Sequence, residues 1–151
     1  MQQPIPRKML SLLILVATIL SCSSCWRGTV GGRRPHYFFE DQKVISLCKA
    51  ISYDNPDDLE NLLEQGADVN ATGIDGMNPL MWALLTENKE AFVTLLEHGA
   101  NPDIYVDKEY GSSVTRLACQ IDDPFYLDKA VQHGANLEVE NVLGETMLFA
   151  A

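Results

Sequence analysis

The chain is short of what a disulfide-built, fibrous or membrane-spanning protein requires. Four cysteines in 151 residues are too few for a disulfide scaffold. The composition excludes collagen-like and mucin-like chains. The one long apolar run, Met9 to Leu20 (MLSLLILVATIL), has twelve residues. A helix needs roughly 20 to cross a bilayer, so a polytopic membrane protein is excluded. Positive charge is also scarce, with 11 Lys and Arg against 21 Asp and Glu and a net charge of −10. Arg7, Lys8, Arg27, Arg33 and Arg34 lie in residues 1–36, where there is no acid. Residues 37–151 therefore hold six bases against all 21 acids. So acidic a body repels phosphate, which argues against a nucleic-acid binder.

Catalytic motifs are missing as well. There is no HExxH, no G-x-S-x-G and no phosphate loop. Gly31-Gly32-Arg33-Arg34 lacks the flanking strand and helix that a phosphate cradle needs. The three histidines are His36, His98 and His133. His98 and His133 each precede a Gly-Ala pair and read as helix C-terminal residues favoured by the helix dipole. Cys22-Ser23-Ser24-Cys25 has CxxC spacing, but it sits at the exit of the apolar run. Cys48 and Cys119 read as small core residues. The many carboxylates read as a solvated surface. No catalytic residue, metal, cofactor or small-molecule substrate is expected.

What is present begins with an address. A basic start, a short apolar stretch and small residues after it form a secretory signal. The alternative, a buried amphipathic helix, lacks helical periodicity and a polar face. The exit, Ile19-Leu20-Ser21-Cys22, resembles the bacterial lipoprotein box. That resemblance implies a signal peptide over 1–21 and a lipidated Cys22, with Cys25 as a second candidate. Plain secretion, with cleavage near Ser23 or Ser24, stays open. Residues 22–40 read as a flexible tether, because 23–36 are rich in Ser, Gly and Arg.

The body, 41–151, repeats itself. Gly66-Ala67, Gly99-Ala100 and Gly134-Ala135 lie at steps of 33 and 35, and Gly76, Gly111 and Gly144 at steps of 35 and 33. Leu59, Leu62 and Leu63 are followed by Phe92, Leu95 and Leu96, then by Leu127, Ala130 and Val131. Each trio has i, i+3, i+4 spacing and puts one stripe on one helix face. A shorter helix precedes each, carrying Ala50, Ala83, Ala118 and Ala151. The glycine after each second helix supplies the positive φ of a tight turn. Pro56 and Pro124 stand near second-helix starts, where a missing N–H costs little.

Leu59 to Ala71 (LENLLEQGADVNA), Asp75 to Leu80 (DGMNPL) and Leu95 to Pro102 (LLEHGANP) resemble the ankyrin repeat. The resemblance covers about 41–151. It implies an all-α solenoid of about three and a half helix-turn-helix repeats, with turns or hairpin-like fingers along one edge. The family's Thr-Pro-Leu-His is replaced by Ile45-Ser46-Leu47-Cys48, Asn78-Pro79-Leu80-Met81, Ser113-Val114-Thr115-Arg116 and Thr146-Met147-Leu148-Phe149. None has the His, so fewer polar ties between units are expected. Thr115 stands where Leu is expected. The sequence stops at Ala151 inside the first helix of a fourth unit, and a frayed C-terminus is expected there.

The same resemblance implies a concave protein-binding face built from fingers and first-helix ends. Carried over by match, finger positions in the first unit are Asp41, Gln42 and Val44. Tyr53, Ile74, Met77, Leu85, Tyr110, Ile121 and Val142 would line the groove, as the apolar anchors of an interface. Acids, among them Asp75, Asp103, Asp107 and Glu109, would rim it and speed association with a basic partner. The connector Asn101 to Tyr110 (NPDIYVDKEY) holds Tyr105 and Tyr110, and reads either as a tolerated loop insertion or as a partner contact. The chain is thus expected to be an exported, lipid-anchored, non-catalytic binder of another protein on the periplasmic side of the envelope. The stretches GMNPLMWAL and FVTLLEHGANPD resemble proteins that neutralise secreted antibacterial effectors by plugging them. The alternative is an envelope scaffold or quality-control adaptor binding several proteins.

Overall fold

The computed structural model describes residues 28–107 and 112–137. Three helical hairpins stack side by side. The first joins α2 (Gln42–Ser52) to α3 (Pro56–Glu64), after a short α1 (Pro35–Phe38). The second joins α4 (Pro79–Leu85) to α5 (Lys89–Glu97), and the third α6 (Val114–Gln120) to α7 (Pro124–Gln132). First helices pack in one row, α2 on α4 on α6, and second helices in another, α3 on α5 on α7.

Polar side chains fix the starts. Asp41, Asn55, Asn78, Asn88, Ser113 and Asp123 cap α2 to α7, each accepting a backbone N–H of the first turn. Pro56, Pro79 and Pro124 take the position after the cap. Gly66, Gly99 and Gly134 end the second helices at φ 79, 85 and 89, as the repeat spacing predicts. His98 and His133 are the C-caps of α5 and α7.

Between the two rows lies the core, with Leu47, Ile51, Leu80, Trp82, Leu84, Phe92 and Leu95 fully enclosed. Burying each such side chain stabilises by roughly 1.5–3 kcal/mol. Polar ties are not sparse, contrary to expectation. Asn70 Nδ2 donates to Gly99 O at 3.0 Å, and Asn70 Oδ1 accepts from Asn101 N at 2.8 Å. One step later Asp103 repeats the bond, accepting from Asn136 N at 2.9 Å. The Thr115 hydroxyl, fully buried, lies 3.0 Å from Asp103 Oδ1 and 3.1 Å from Pro102 O. Trp82 Nε1 donates to Ser52 Oγ at 2.8 Å. Asn70 and Asp103, which follow the first two Gly-Ala turns, thus join neighbouring units, and Asp103 is a tie more than a rim acid.

The solenoid body is helical, and β1 (Tyr105–Asp107) and β2 (Ser112–Ser113) pair antiparallel as a small hairpin in the third finger, in line with the hairpin-like fingers that the resemblance implies. Two expectations are corrected. The stretch assigned to a tether, 22–40, is folded from residue 28 onward. Val30 and Arg33 pair across Gly31-Gly32, α1 follows, and Phe38 and Phe39 are 7% and 5% exposed. Phe38 meets the Trp82 ring edge-on at 5.9 Å, and its carbonyl passes so close to Gly73 that a Cβ has no room. The first unit also has no finger at Asp41, Gln42 and Val44. Asp41 caps α2, Gln42 begins it and Val44 is buried. The N-terminal strap fills the space that the missing finger leaves.

Candidate functional site

The turns inside each hairpin fall in register along one edge of the stack. Tyr53, Thr86 and Ile121 are the C-caps of α2, α4 and α6. The next positions are Asp54, Glu87 and Asp122, and after them come the caps Asn55, Asn88 and Asp123. Asp54 and Glu87 both adopt the left-handed region, at φ 55. Asp tolerates it; Glu is strained by about 1–2 kcal/mol. The register therefore produces a row of exposed acids, and beside it stand the exposed side chains of Tyr53, of Leu85 one position before the Thr86 cap, and of Ile121.

Two open grooves run along this edge. One, of about 870 Å³, lies between the first and second units and is bordered by Gly28, Ser52, Asp54, Leu85 and Glu90. The other, of about 470 Å³, lies between the second and third units. Leu84, Leu85 and Ile121 give it apolar walls, Glu87, Asp122 and Asp123 its acids, and Tyr126 lines it as well. Lys89 touches both grooves. Its ammonium pairs with Asp123 Oδ2 at 2.7 Å and sits 4.9 Å from the Phe125 ring centre. The hydrogen bond from Lys89, with a second from the Phe125 N–H, holds the Asp123 carboxyl below its usual range.

Tyr126 is 2% exposed and its hydroxyl has no hydrogen-bond partner. Burial, followed by the charges of Glu87 and Asp123, pushes its pKa up to about 12. A second pair of exposed apolar residues, Tyr37 and Ile74, lies at the other end of the first helices. There the Arg33 guanidinium stacks 4.2 Å from the Tyr37 ring centre.

The expected groove residues divide accordingly. Tyr53, Leu85 and Ile121 are exposed together on the turn edge, at 64%, 45% and 36%. Ile74 and Asp75 are exposed on a 3-10 turn (Ile74–Gly76), with Asp75 at φ 56. Met77 is corrected: it is 7% exposed and joins the core, because that turn rotates it inward. Tyr105 and Asp107 lie in β1, where only the backbone is described. Cys22, Glu109, Tyr110 and Val142 lie outside the described residues. Composition alone did not show Asp54, Glu87 and Asp122 as a row, although they stand at steps of 33 and 35. Tyr126 carries no sequence signal, since its open hydroxyl depends on its neighbours in space.

Cys48 is buried, and burial pushes its thiol far up, away from thiolate chemistry. Cys119 is only half-buried, against the expectation of a core residue; burial raises its thiol and the Arg116 charge opposes the rise. Among the described residues, no three His, Cys, Asp or Glu side chains gather in a metal-binding group, and no helix is long and apolar enough to cross a membrane.

A family model for ankyrin repeats, in three copies, matches residues 47–141, more than half of the chain. Over 51 residues, 34% of the chain, it is 45% identical to neurogenic locus notch homolog protein 1 of Cricetulus griseus and of Mus musculus. It is 43% identical over the same length to the Homo sapiens protein of that name. The chain spans about 2% of the length of these relatives.

Proposed function

Because the chain belongs to the ankyrin-repeat family, generally a non-catalytic protein-interaction module, we propose that its work is done by the turn edge, which binds a basic protein. The carrying observation is the exposed set Tyr53, Leu85 and Ile121 beside Asp54, Glu87 and Asp122, where most large apolar side chains among the described residues are buried. Exposed apolar anchors inside a charged rim are what an interface places at its centre, and the acids select a positively charged partner.

The proposal includes export directed by 1–21, with a lipid on Cys22 holding the body at the periplasmic side of the envelope. Supporting it are the basic start, the apolar run and the small Ser21 before Cys22. The partner is proposed to be a secreted antibacterial effector, which this chain neutralises by occupying its surface. A pull-down from the native cell, with mass spectrometry of the N-terminal peptide, tests both parts. One stoichiometric, tightly bound, basic protein and a lipid-modified Cys22 are expected, and co-expression protects cells from that protein. A spread of weak clients would replace the inhibitor with an envelope adaptor. An unmodified N-terminus at Ser23 or Ser24 would replace the anchor with plain secretion.

A further inference from the structure

We infer that the groove between the second and third units is a socket for one lysine or arginine side chain of the partner protein; this rests on the protein-binding reading above and names the contact it uses. The Tyr126 hydroxyl is buried and has no partner. Its ring is fixed edge-to-face against Phe92 at 5.1 Å and Phe125 at 5.5 Å, so it is held in place. Buried polar groups are normally satisfied, and the residue that carries this one lines an open groove.

Charge and shape narrow the occupant. Among the described residues, the Glu87 and Asp122 carboxylates have no ion pair or hydrogen bond, while the Asp123 carboxylate is committed to Lys89. Among the described residues, Lys89 is also the only base lining the groove. An anion is repelled by three carboxylates. A purely apolar side chain would desolvate Glu87 and Asp122 without compensation. A neutral amide can satisfy the hydroxyl but not the charge. An ammonium or guanidinium donates N–H to the Tyr126 oxygen and offsets the Glu87 and Asp122 charges. Its methylene stem lies along Leu85 and Ile121, as long basic side chains do on apolar surface. Burial, and after it the carboxylates beside Tyr126, favour the protonated hydroxyl, so the cation meets a neutral phenol.

The test uses the chain with its folded body intact and the peptides acetyl-Leu-Arg-Leu-amide, acetyl-Leu-Lys-Leu-amide and acetyl-Leu-Gln-Leu-amide. Methyl resonances of Leu85 and Ile121 and the Tyr126 ring resonances are followed by NMR. Both basic peptides are expected to shift them saturably, with the Gln peptide at least fivefold weaker. Glu87→Gln with Asp122→Asn should weaken the basic peptides at least fivefold. Tyr126→Phe should weaken them while the fold is retained. Glu64→Gln with Glu97→Gln, which removes two charges from second-helix ends, should change affinity less than twofold. Equal shifts from the Gln peptide, or equal losses from both charge-removed variants, would overturn the socket. With a captured partner, full affinity in the Glu87→Gln, Asp122→Asn variant would overturn the socket and leave the protein-binding reading standing. Peptide binding in the absence of any captured partner would separate the two the other way.

Discussion

Tyr126 shows how one atom can be at odds with its surroundings. The ring is well packed by Phe92 and Phe125, while the hydroxyl is buried and unbonded. Removing it therefore takes away an unsatisfied group without opening a cavity, and Tyr126→Phe is expected to leave stability at pH 7 unchanged or higher. The pH dependence has a definite sign. In the folded chain the pKa is pushed up to about 12; in the unfolded chain it is about 10. The unfolded state loses its proton first. Below pH 10 the hydroxyl is neutral in both states and adds no pH dependence; stability then falls as pH rises from 10 to 12 and levels off above that window. Urea midpoints of parent and variant between pH 8 and 12 should diverge only above pH 10, with the parent falling faster. Parallel curves would show that Tyr126 titrates as it does in the unfolded chain.

Although the capping Asn, Asp and Ser side chains emerged only with the structure, the hairpins were legible in the sequence because their marks recur at matched steps: an i, i+3, i+4 stripe, a first-helix alanine, and a glycine at the turn. The strap was not. Phe38 and Phe39 have no periodicity, and Gly31-Gly32-Arg33-Arg34 looks like linker; only the gap beside Gly73 and Trp82 gives them a place. Met77 failed for a related reason, since a 3-10 turn of three residues decides its direction. Two glycines separate these influences. Gly66 has open space around it but sits at φ 79, so Gly66→Ala is expected to cost about 1 kcal/mol, from backbone strain alone. Gly73 lies outside the left-handed region but is pressed against the Phe38 carbonyl and the Phe39 ring, so Gly73→Ala is expected to cost about 2–3 kcal/mol by overpacking. In a chain lacking residues 28–39, where Phe38 and Phe39 are gone, Gly73→Ala should cost much less than it does in the parent. Urea denaturation of the single and combined variants checks this. A Gly73→Ala chain as stable as the parent would show that the strap moves aside easily.

Across the whole molecule the charges are mostly unanswered. Residues 37–151 hold 21 acids against six bases. Among the described residues the ion pairs are Lys89 with Asp123 and His98 with Glu60, the second at 3.5 Å and dependent on a protonated imidazole. The acids lie mostly on exposed helix faces and turns, so their mutual repulsion is screened by salt, whereas the apolar core and the Asn70 and Asp103 ties are hardly affected. The screening length shrinks from about 30 Å at 0.01 M salt to about 8 Å at 0.15 M. Stability is therefore expected to rise over that range, because repulsion weakens more than the few attractive pairs do. Association with a basic partner should slow steeply over the same range, since the long-range attraction that speeds encounter is screened too. The two responses have opposite directions from one cause. Thermal midpoints of the free chain and stopped-flow association rates, taken in the same salt series, check them together. A midpoint that falls with salt would mean that ion pairs, rather than burial and backbone ties, hold the stack.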